Sequence, residues 1–228
     1  NSDYAEKYRC FLNPQSVYFY KSFEDCKNYY YLLRNVTYYI ENVPEAIDNY
    51  RKCLDIFHAK DPVNYNRTIS NFLCYLMRHD FDPMAKSQME SVSKEVRKIL
   101  DYNDAAYAYL NNNYGIYLMR YKEEDPTAYF SSIPYSAGTT ETPYIYAQVN
   151  LALYNARINP RYALKTINAV EHHVKTTTVP RTKQFYNINR ALIEFVNGSF
   201  PETQLQEILS KPLRGNETYA QNLYSRYS

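Results

Sequence analysis

Prolines recur along this chain at a spacing of 34 to 43 residues. Proline is favoured in the first turn of a helix, where its missing N–H group has no hydrogen-bond acceptor to lose. Each proline of this series is therefore predicted to open a helix, and a period of this length is typical of repeated helix pairs. The series consists of Pro44, Pro83, Pro126, Pro160 and Pro201.

A small residue follows four of these prolines within three positions. The four are Ala46, Ala85, Ala128 and Ala163. An alanine one turn into a helix lets a neighbouring helix approach closely, because the distance between packed helices depends on the side chains at the contact. We therefore expect these alanines to be buried where two helices cross.

The apolar residues between the prolines have the spacing of amphipathic helices. After Pro83 they alternate in steps of four and three, as one face of a helix requires. A second amphipathic segment precedes each proline across a short connection, which predicts antiparallel helix pairs. The tyrosine-rich stretch 29–40 could be read as a strand, but helix is preferred because no turn residue divides it. The predicted fold class is all-α.

The whole chain is expected to form a single helical-repeat domain over residues 1–228. Helix pairs are predicted for residues 17–58, 64–100, 103–132, 143–175 and 182–210. Residues 1–14 are interpreted as the remnant of a preceding unit, and residues 216–228 as a terminal or capping helix, since a repeat array needs caps. Because the first residue is Asn1 rather than Met, we interpret the chain as part of a larger protein.

The repeat resembles the tetratricopeptide repeat. Tyr114-Gly115-Ile116-Tyr117-Leu118 is similar to the signature of the first helix in that family, including its glycine. The resemblance implies a right-handed solenoid of antiparallel helix pairs, a superhelix of about five units that binds proteins or peptides. Domains of this kind are found in bacterial regulators and signalling ATPases. Equivalent places in two other units are occupied by Leu73, Leu76, Ala85 and Met89, and by Leu151, Tyr154, Ala163 and Ile167.

Composition excludes several classes of function. The chain has 4 Gly residues, where an average chain of this length would have about 16, so phosphate-binding loops and dinucleotide turns are not expected. The net charge of +2 gives no broad basic surface, and no nucleic-acid partner is expected. No apolar stretch approaches the roughly 20 residues of a membrane span, and no signal peptide is visible, which favours a cytoplasmic location.

No catalytic or metal site is indicated by the cysteines and histidines. Cys10, Cys26, Cys53 and Cys74 are far apart and include no C-x-x-C pair, so they are interpreted as buried free thiols. No histidine pair has the spacing of a helical metal site. We therefore expect no catalytic residue, no metal and no cofactor, and the chain is not expected to be an enzyme.

A peptide-binding groove is the candidate site. In the tetratricopeptide pattern, the residue three before the glycine place faces the concave side, where amides can hydrogen-bond an extended peptide. This rule selects an uncharged polar ladder of Ser70, Asn112, Gln148 and Asn189. One turn earlier, the same face would present Arg67, Tyr109, Ile145 and Tyr186.

Three functions remain open at this point. The first is a recognition or sensor module that binds a protein or peptide and belongs to a larger regulatory or signalling protein. The second is an oligomerisation scaffold, in which exposed tyrosines and open ends mediate self-association without a small ligand. An enzyme is the third alternative, although no reaction is visible in the residues.

Overall fold

A computed structural model describes residues 23–96, 105–156 and 158–210 of the chain. Every regular element in these ranges is helical, so the all-α prediction is confirmed. The chain divides into two compact units, Asn1–Tyr102 and Asn103–Ser228. The predicted segments 1–14 and 216–228 lie outside the described residues.

The described part of the first unit contains two successive helix pairs. Helix α1 packs on α2 and α3 packs on α4. Each helix also contacts helices further along the chain, since α2 packs on α3 and α4, and α1 packs on α3. The helices are α1 (Phe23–Thr37), α2 (Val43–Phe57), α3 (Pro62–Arg78) and α4 (Pro83–Val96).

The second unit is organised around its long helix α7, which packs on α5, α6, α8 and α10. A π-helical turn, Leu118–Lys122, extends α5 and ends at Glu123, which has a positive φ of 53°. Packing is mostly between neighbours in sequence, as in the first unit. The helices are α5 (Ala105–Tyr117), α6 (Thr127–Ser131), α7 (Glu141–Ala156), α8 (Pro160–Ala169), α9 (Glu171–Thr176), α10 (Pro180–Val196) and α11 (Glu202–Ser210).

The predicted prolines lie at or next to the start of helices. Pro83 and Pro160 are the first residues of α4 and α8, and Pro44 is the second residue of α2. Pro126 and Pro201 immediately precede α6 and α11. The prediction that this series opens helices is therefore confirmed.

An aspartate or asparagine caps several of the helices that begin with proline. Asp61 accepts from the Asn64 N–H at 3.0 Å, and Asn159 accepts from the Tyr162 N–H at 3.1 Å. Such a side chain satisfies an N–H group that has no partner inside the helix. Asp61 precedes Pro62, which opens α3 although it does not belong to the predicted proline series.

Three of the four alanines are buried as expected. Ala46, Ala85 and Ala163 have no solvent exposure. The expectation is wrong for Ala128, which is exposed on α6. Where α5 packs on α6, the small residue is instead Gly115 of α5, which faces the buried ring of Phe130 on α6.

Aromatic rings form the centre of the first unit. The ring of Tyr50 stacks on Phe72 with centroids 4.8 Å apart and lies 5.8 Å from the ring of Tyr75. The Tyr75 hydroxyl donates a hydrogen bond to the Ile40 carbonyl at 3.0 Å, so this buried polar group is satisfied. These contacts join α2 to α3, and α3 to the turn that follows α1.

Aliphatic side chains form most of the core of the second unit, where α7, α8, α10 and α11 meet. Its fully buried members include Ile145, Val149, Ile167, Leu192 and Leu205. Across the ranges that the structure describes, no helix is both long and apolar enough to cross a bilayer.

Candidate functional site

The predicted groove residues divide into an accessible group and a buried group. Arg67 and Tyr109 are exposed and Gln148 is half-buried. The prediction that the polar ladder is open to solvent is therefore wrong for Ser70, Asn112 and Asn189, because the packing of neighbouring helices buries their side chains. Whether any of these residues contacts a ligand stays a prediction. The buried members, each 3% exposed or less, are Ser70, Asn112, Ile145, Tyr186 and Asn189.

Asn112 forms a hydrogen bond with a residue that the repeat pattern did not select. The Asn150 Nδ2 on α7 donates to the Asn112 Oδ1 on α5 at 2.9 Å, and both side chains are buried. Gln148 was predicted for this place on α7. It lies two residues earlier, which turns its side chain about 200° around the helix axis. Asn150, and not Gln148, is therefore the α7 residue that pairs with Asn112.

Asn189 of α10 lies at the same level as Asn150 of the neighbouring helix α7. One turn before Asn150 and Asn189, the rings of Tyr146 and Phe185 meet edge to face with centroids 4.9 Å apart. The Asn189 Nδ2 donates to the Phe185 carbonyl at 2.7 Å, whereas its Oδ1 has no hydrogen-bond partner in the described part of the chain. The three asparagines thus follow the α5–α7–α10 packing as a buried row rather than as an open ladder.

The two tyrosines predicted for the groove have different surroundings. Tyr109 is exposed; partial burial and the nearby Tyr146 raise its pKa, while a hydrogen bond with Thr142 lowers it. Tyr186 is buried, and its hydroxyl accepts a hydrogen bond from Arg190 Nη1 at 3.0 Å. Tyr109 is therefore accessible to a partner, whereas Tyr186 supports an arginine within its own helix.

Arg190 is neutralised by two carboxylates. Its Nε lies 2.7 Å from Glu194, and its Nη1 lies 3.3 Å from Glu171. The hydrogen bond with Glu194 is the main cause that raises the pKa of Arg190. Two carboxylates within the second unit therefore balance the charge of this arginine.

In the first unit, α1 and α3 meet along a row of arginine, asparagine and tyrosine side chains. Arg34 Nη1 of α1 donates to Asn64 Oδ1 of α3 at 2.8 Å. Further along, Arg78 of α3 donates to the Tyr38 carbonyl at 2.5 Å and lies over the Tyr38 ring. We define the α1–α3 face by Tyr31, Arg34 and Asn35 of α1, Tyr38 just after it, and Asn64, Arg67 and Arg78 of α3.

Arg67 is the one residue of this face that the sequence analysis predicted, and Arg34 is the buried charge among the residues that it missed. Arg34 is 3% exposed, and it is the one buried Lys, Arg, Asp or Glu among the described residues. Its guanidinium lies 4.7 Å from the centre of the Tyr31 ring and donates to the side-chain oxygens of Asn35 and Asn64. Arg34 lies one turn after Tyr31, but nothing in the local pattern indicates that a charged residue is buried there.

The arginines of the α1–α3 face form no ion pair with a carboxylate in the described part of the chain. Burial lowers the pKa of Arg34; the Tyr31 hydroxyl raises it and the positive charge of Arg67 lowers it further. Arg67 lies three residues after Asn64, the α3 residue that accepts from Arg34, so both arginines are on the same side of α3. The carboxylate of Asp61 instead accepts from Asn64 Nδ2 at 2.8 Å and pairs with Lys27. Within the described residues the face is therefore positively charged and aromatic, and its arginines have no carboxylate in direct contact.

The histidines and cysteines have structural surroundings in the described ranges. His173 stacks on Tyr135 with centroids 4.0 Å apart. Burial raises the pKa of Cys53 to about 12, far from the range of reactive thiols. Cys74 is half-buried, which corrects the expectation of full burial, and nothing is described of the other two cysteine side chains. Among the described residues, no group of three or more possible ligands could hold a metal.

Comparison of the chain with protein-family models, with curated protein sequences and with solved structures finds no match. The all-helical architecture with neighbour-to-neighbour packing stands on the structure itself.

Proposed function

We propose that this chain is a protein- or peptide-recognition module, built as a tetratricopeptide-like, right-handed solenoid of about five helix pairs. The packing supports this architecture, since successive helices contact the next and often the next but one. Stacked repeats have this pattern because each repeat contacts only its neighbours. The burial of Ala46, Ala85 and Ala163 agrees with close crossings at equivalent places.

The α1–α3 face is the observation that carries the proposed recognition function. Tyr31 and Arg67 are exposed on it, and tyrosine and arginine are enriched at the centres of protein interfaces. Their rigid or forked side chains supply contact area and directed hydrogen bonds. A peptide with acidic side chains would complement the unneutralised arginines of this face.

The second unit offers a smaller set of accessible residues. Tyr109 and Gln148 remain candidates for ligand contact because both reach solvent. Asn112 and Asn189 are assigned a structural role, since both amides are buried and Asn112 is bonded to Asn150. Recognition by this unit would therefore use tyrosine and glutamine rather than a row of asparagines.

Selection of peptides from a random-sequence library on the immobilised chain tests the proposal. We expect enrichment of acidic peptides whose binding is weakened by Arg67→Glu. The melting temperature should stay equal or rise, because Arg67 forms no hydrogen bond or ion pair with the described residues and its replacement removes a positive charge that acts on Arg34. Arg51→Glu is the matched control, since Arg51 is an exposed arginine of the same unit that contacts Gln88 instead. Failure to enrich any peptide would contradict the recognition function.

An oligomerisation scaffold is the second candidate, and exposed apolar side chains favour it. Phe81 is 77% exposed beside the α3–α4 turn, and Ile158 is 64% exposed beside the α7–α8 turn. Such side chains would lose apolar surface to water-free contacts if two molecules associated through them. Sedimentation of the wild-type chain and of Phe81→Ser and Ile158→Ser tests this function: a scaffold would associate, and one or both substitutions would release monomers.

A further inference from the structure

Two arginines with different surroundings show that one positive charge has no counter-ion in the described part of the first unit. Arg190 in the second unit is half-buried and contacts two carboxylates, Glu171 and Glu194. Arg34 is more deeply buried, yet only amide oxygens accept its hydrogen bonds. Burying a charge is costly unless an opposite charge accompanies it. Arg34 bears that cost without a counter-ion in the described part of the chain.

The amides hold Arg34 in place without cancelling its charge. Nε and Nη2 both donate to Asn35 Oδ1 at 3.3 Å, and Nη1 donates to Asn64 Oδ1 at 2.8 Å. These three hydrogen bonds use three of the five N–H groups of a guanidinium, so two remain. A positive group that is oriented in advance and still charged is well suited to bind a negative one.

Arg67 adds a second charge at the same place. Arg34 Nη1 donates to Asn64 of α3, and Arg67 lies three residues after Asn64 on the same face of that helix, so the two arginines are on one side of α3. The positive charge of Arg67 also lowers the pKa of Arg34, as expected for like charges that repel one another. Arg67 is exposed and forms no hydrogen bond or ion pair within the described part of the chain. Among the described residues this pair of charges is therefore unsatisfied, and an anion placed between them would relieve the repulsion.

We propose that Arg34 and Arg67 form a binding site for an oxyanion, the carboxylate or phosphoryl group of a ligand. The proposal deepens the recognition function and rests on it, because it names the chemical group by which a partner would be recognised. Arg67 meets the anion first, at the surface. Arg34 is buried against the exposed ring of Tyr31, 4.7 Å from its centre, and would become accessible when that ring turns aside.

Titration of the full chain with inorganic phosphate or with acetate, against sodium chloride at matched ionic strength, tests the site without any peptide. The readout is the ¹⁵Nε signal of each arginine by NMR, together with the melting temperature. We expect the signals of Arg34 and Arg67 to shift at saturable anion concentrations, while the signal of the control, Arg51, stays in place. Stronger binding of phosphate indicates a phosphoryl ligand, and stronger binding of acetate indicates a carboxylate ligand.

Substitutions separate this site from general salt effects. Arg67→Gln should weaken anion binding about tenfold, because one charge-assisted contact is lost, whereas Arg51→Gln should leave it unchanged. Arg34→Met should abolish the anion response while leaving the melting temperature of the free protein equal or higher, since a costly buried charge is removed. A purely structural Arg34 would instead lower the melting temperature on substitution.

Equal responses of the wild-type chain and Arg67→Gln, or no response of the Arg34 and Arg67 signals, would overturn the oxyanion site. This result would leave the recognition function intact if library peptides still bind. Conversely, anion binding without any enriched peptide would support the site and contradict peptide recognition.

Discussion

The ring of Phe130 occupies the space that a side chain on Gly115 would need. A Cβ atom built on Gly115 would lie 2.5 Å from Phe130 Cε1 and 2.8 Å from Cζ, closer than carbon atoms approach in folded proteins. Phe130 has no solvent exposure, so its ring has little room to withdraw. The α5–α6 contact therefore depends on the absence of a side chain at residue 115.

Gly115→Ala is expected to lower the free energy of unfolding by about 1–2 kcal/mol, since overpacking outweighs the helix preference of alanine. Chemical denaturation followed by circular dichroism measures the change. Adding Phe130→Leu should recover part of the loss, because a smaller side chain leaves room for the new methyl group. A Gly115→Ala variant as stable as the wild type would contradict the close contact.

Ala85→Leu and Ala163→Leu are each expected to destabilise the fold by about 1–3 kcal/mol through overpacking. Both alanines are fully buried in helices that pack on a partner. Ala128→Leu is the matched control, because Ala128 follows its proline in the same way but is exposed. Thermal melts should show losses for the first two variants and no more than a small change for the third.

Asn150→Leu and Asn189→Leu should have unequal effects on stability. The first removes the donor to Asn112 and leaves a buried oxygen unpaired, at a cost of about 1–3 kcal/mol. The second removes the hydrogen bond from Nδ2 to the Phe185 carbonyl but also an Oδ1 that has no partner in the described part of the chain, so the loss should be smaller. Denaturant titration of both variants checks the contrast, with Gln148→Ala as a half-exposed control. Equal losses at residues 150 and 189 would contradict it.

Cys53 should resist alkylation in the native state. Burial raises the pKa of its thiol to about 12, so about one side chain in 10,000 is a thiolate at pH 8. Because the folded-state pKa is raised, this thiol stabilises the fold while it is protonated, and the contribution is lost as the pH rises towards 12. Peptide mass spectrometry after iodoacetamide treatment should show Cys74, which is half-buried, modified before Cys53.

The helix starts could be predicted from the sequence because their causes are local. Proline and a preceding side-chain acceptor act within a few residues, whatever the rest of the chain does. The same signal, an aspartate followed by proline, also marks the start of α3 at Asp61-Pro62, two residues before the start predicted from the repeat.

The site residues depend on tertiary contacts and were harder to predict. Helix α7 is apolar on nearly all sides, so its periodicity does not distinguish Gln148 from Asn150 as the partner of Asn112. Ala128 has the expected spacing, but Gly115 already supplies the small residue of that pair. The burial of Arg34 is set by side chains of α3 that lie about one repeat later in the chain.

Many contacts between helices join residues that are close in sequence, and this affects how the chain folds during synthesis. Hydrogen bonds between helices join residues such as Arg34 and Asn64, 30 positions apart, or Arg78 and Tyr38, 40 positions apart. Low contact order of this kind favours rapid folding, and N-terminal units generally fold first as a chain emerges. A helix pair can therefore find its neighbour on the ribosome soon after the next repeat has been translated.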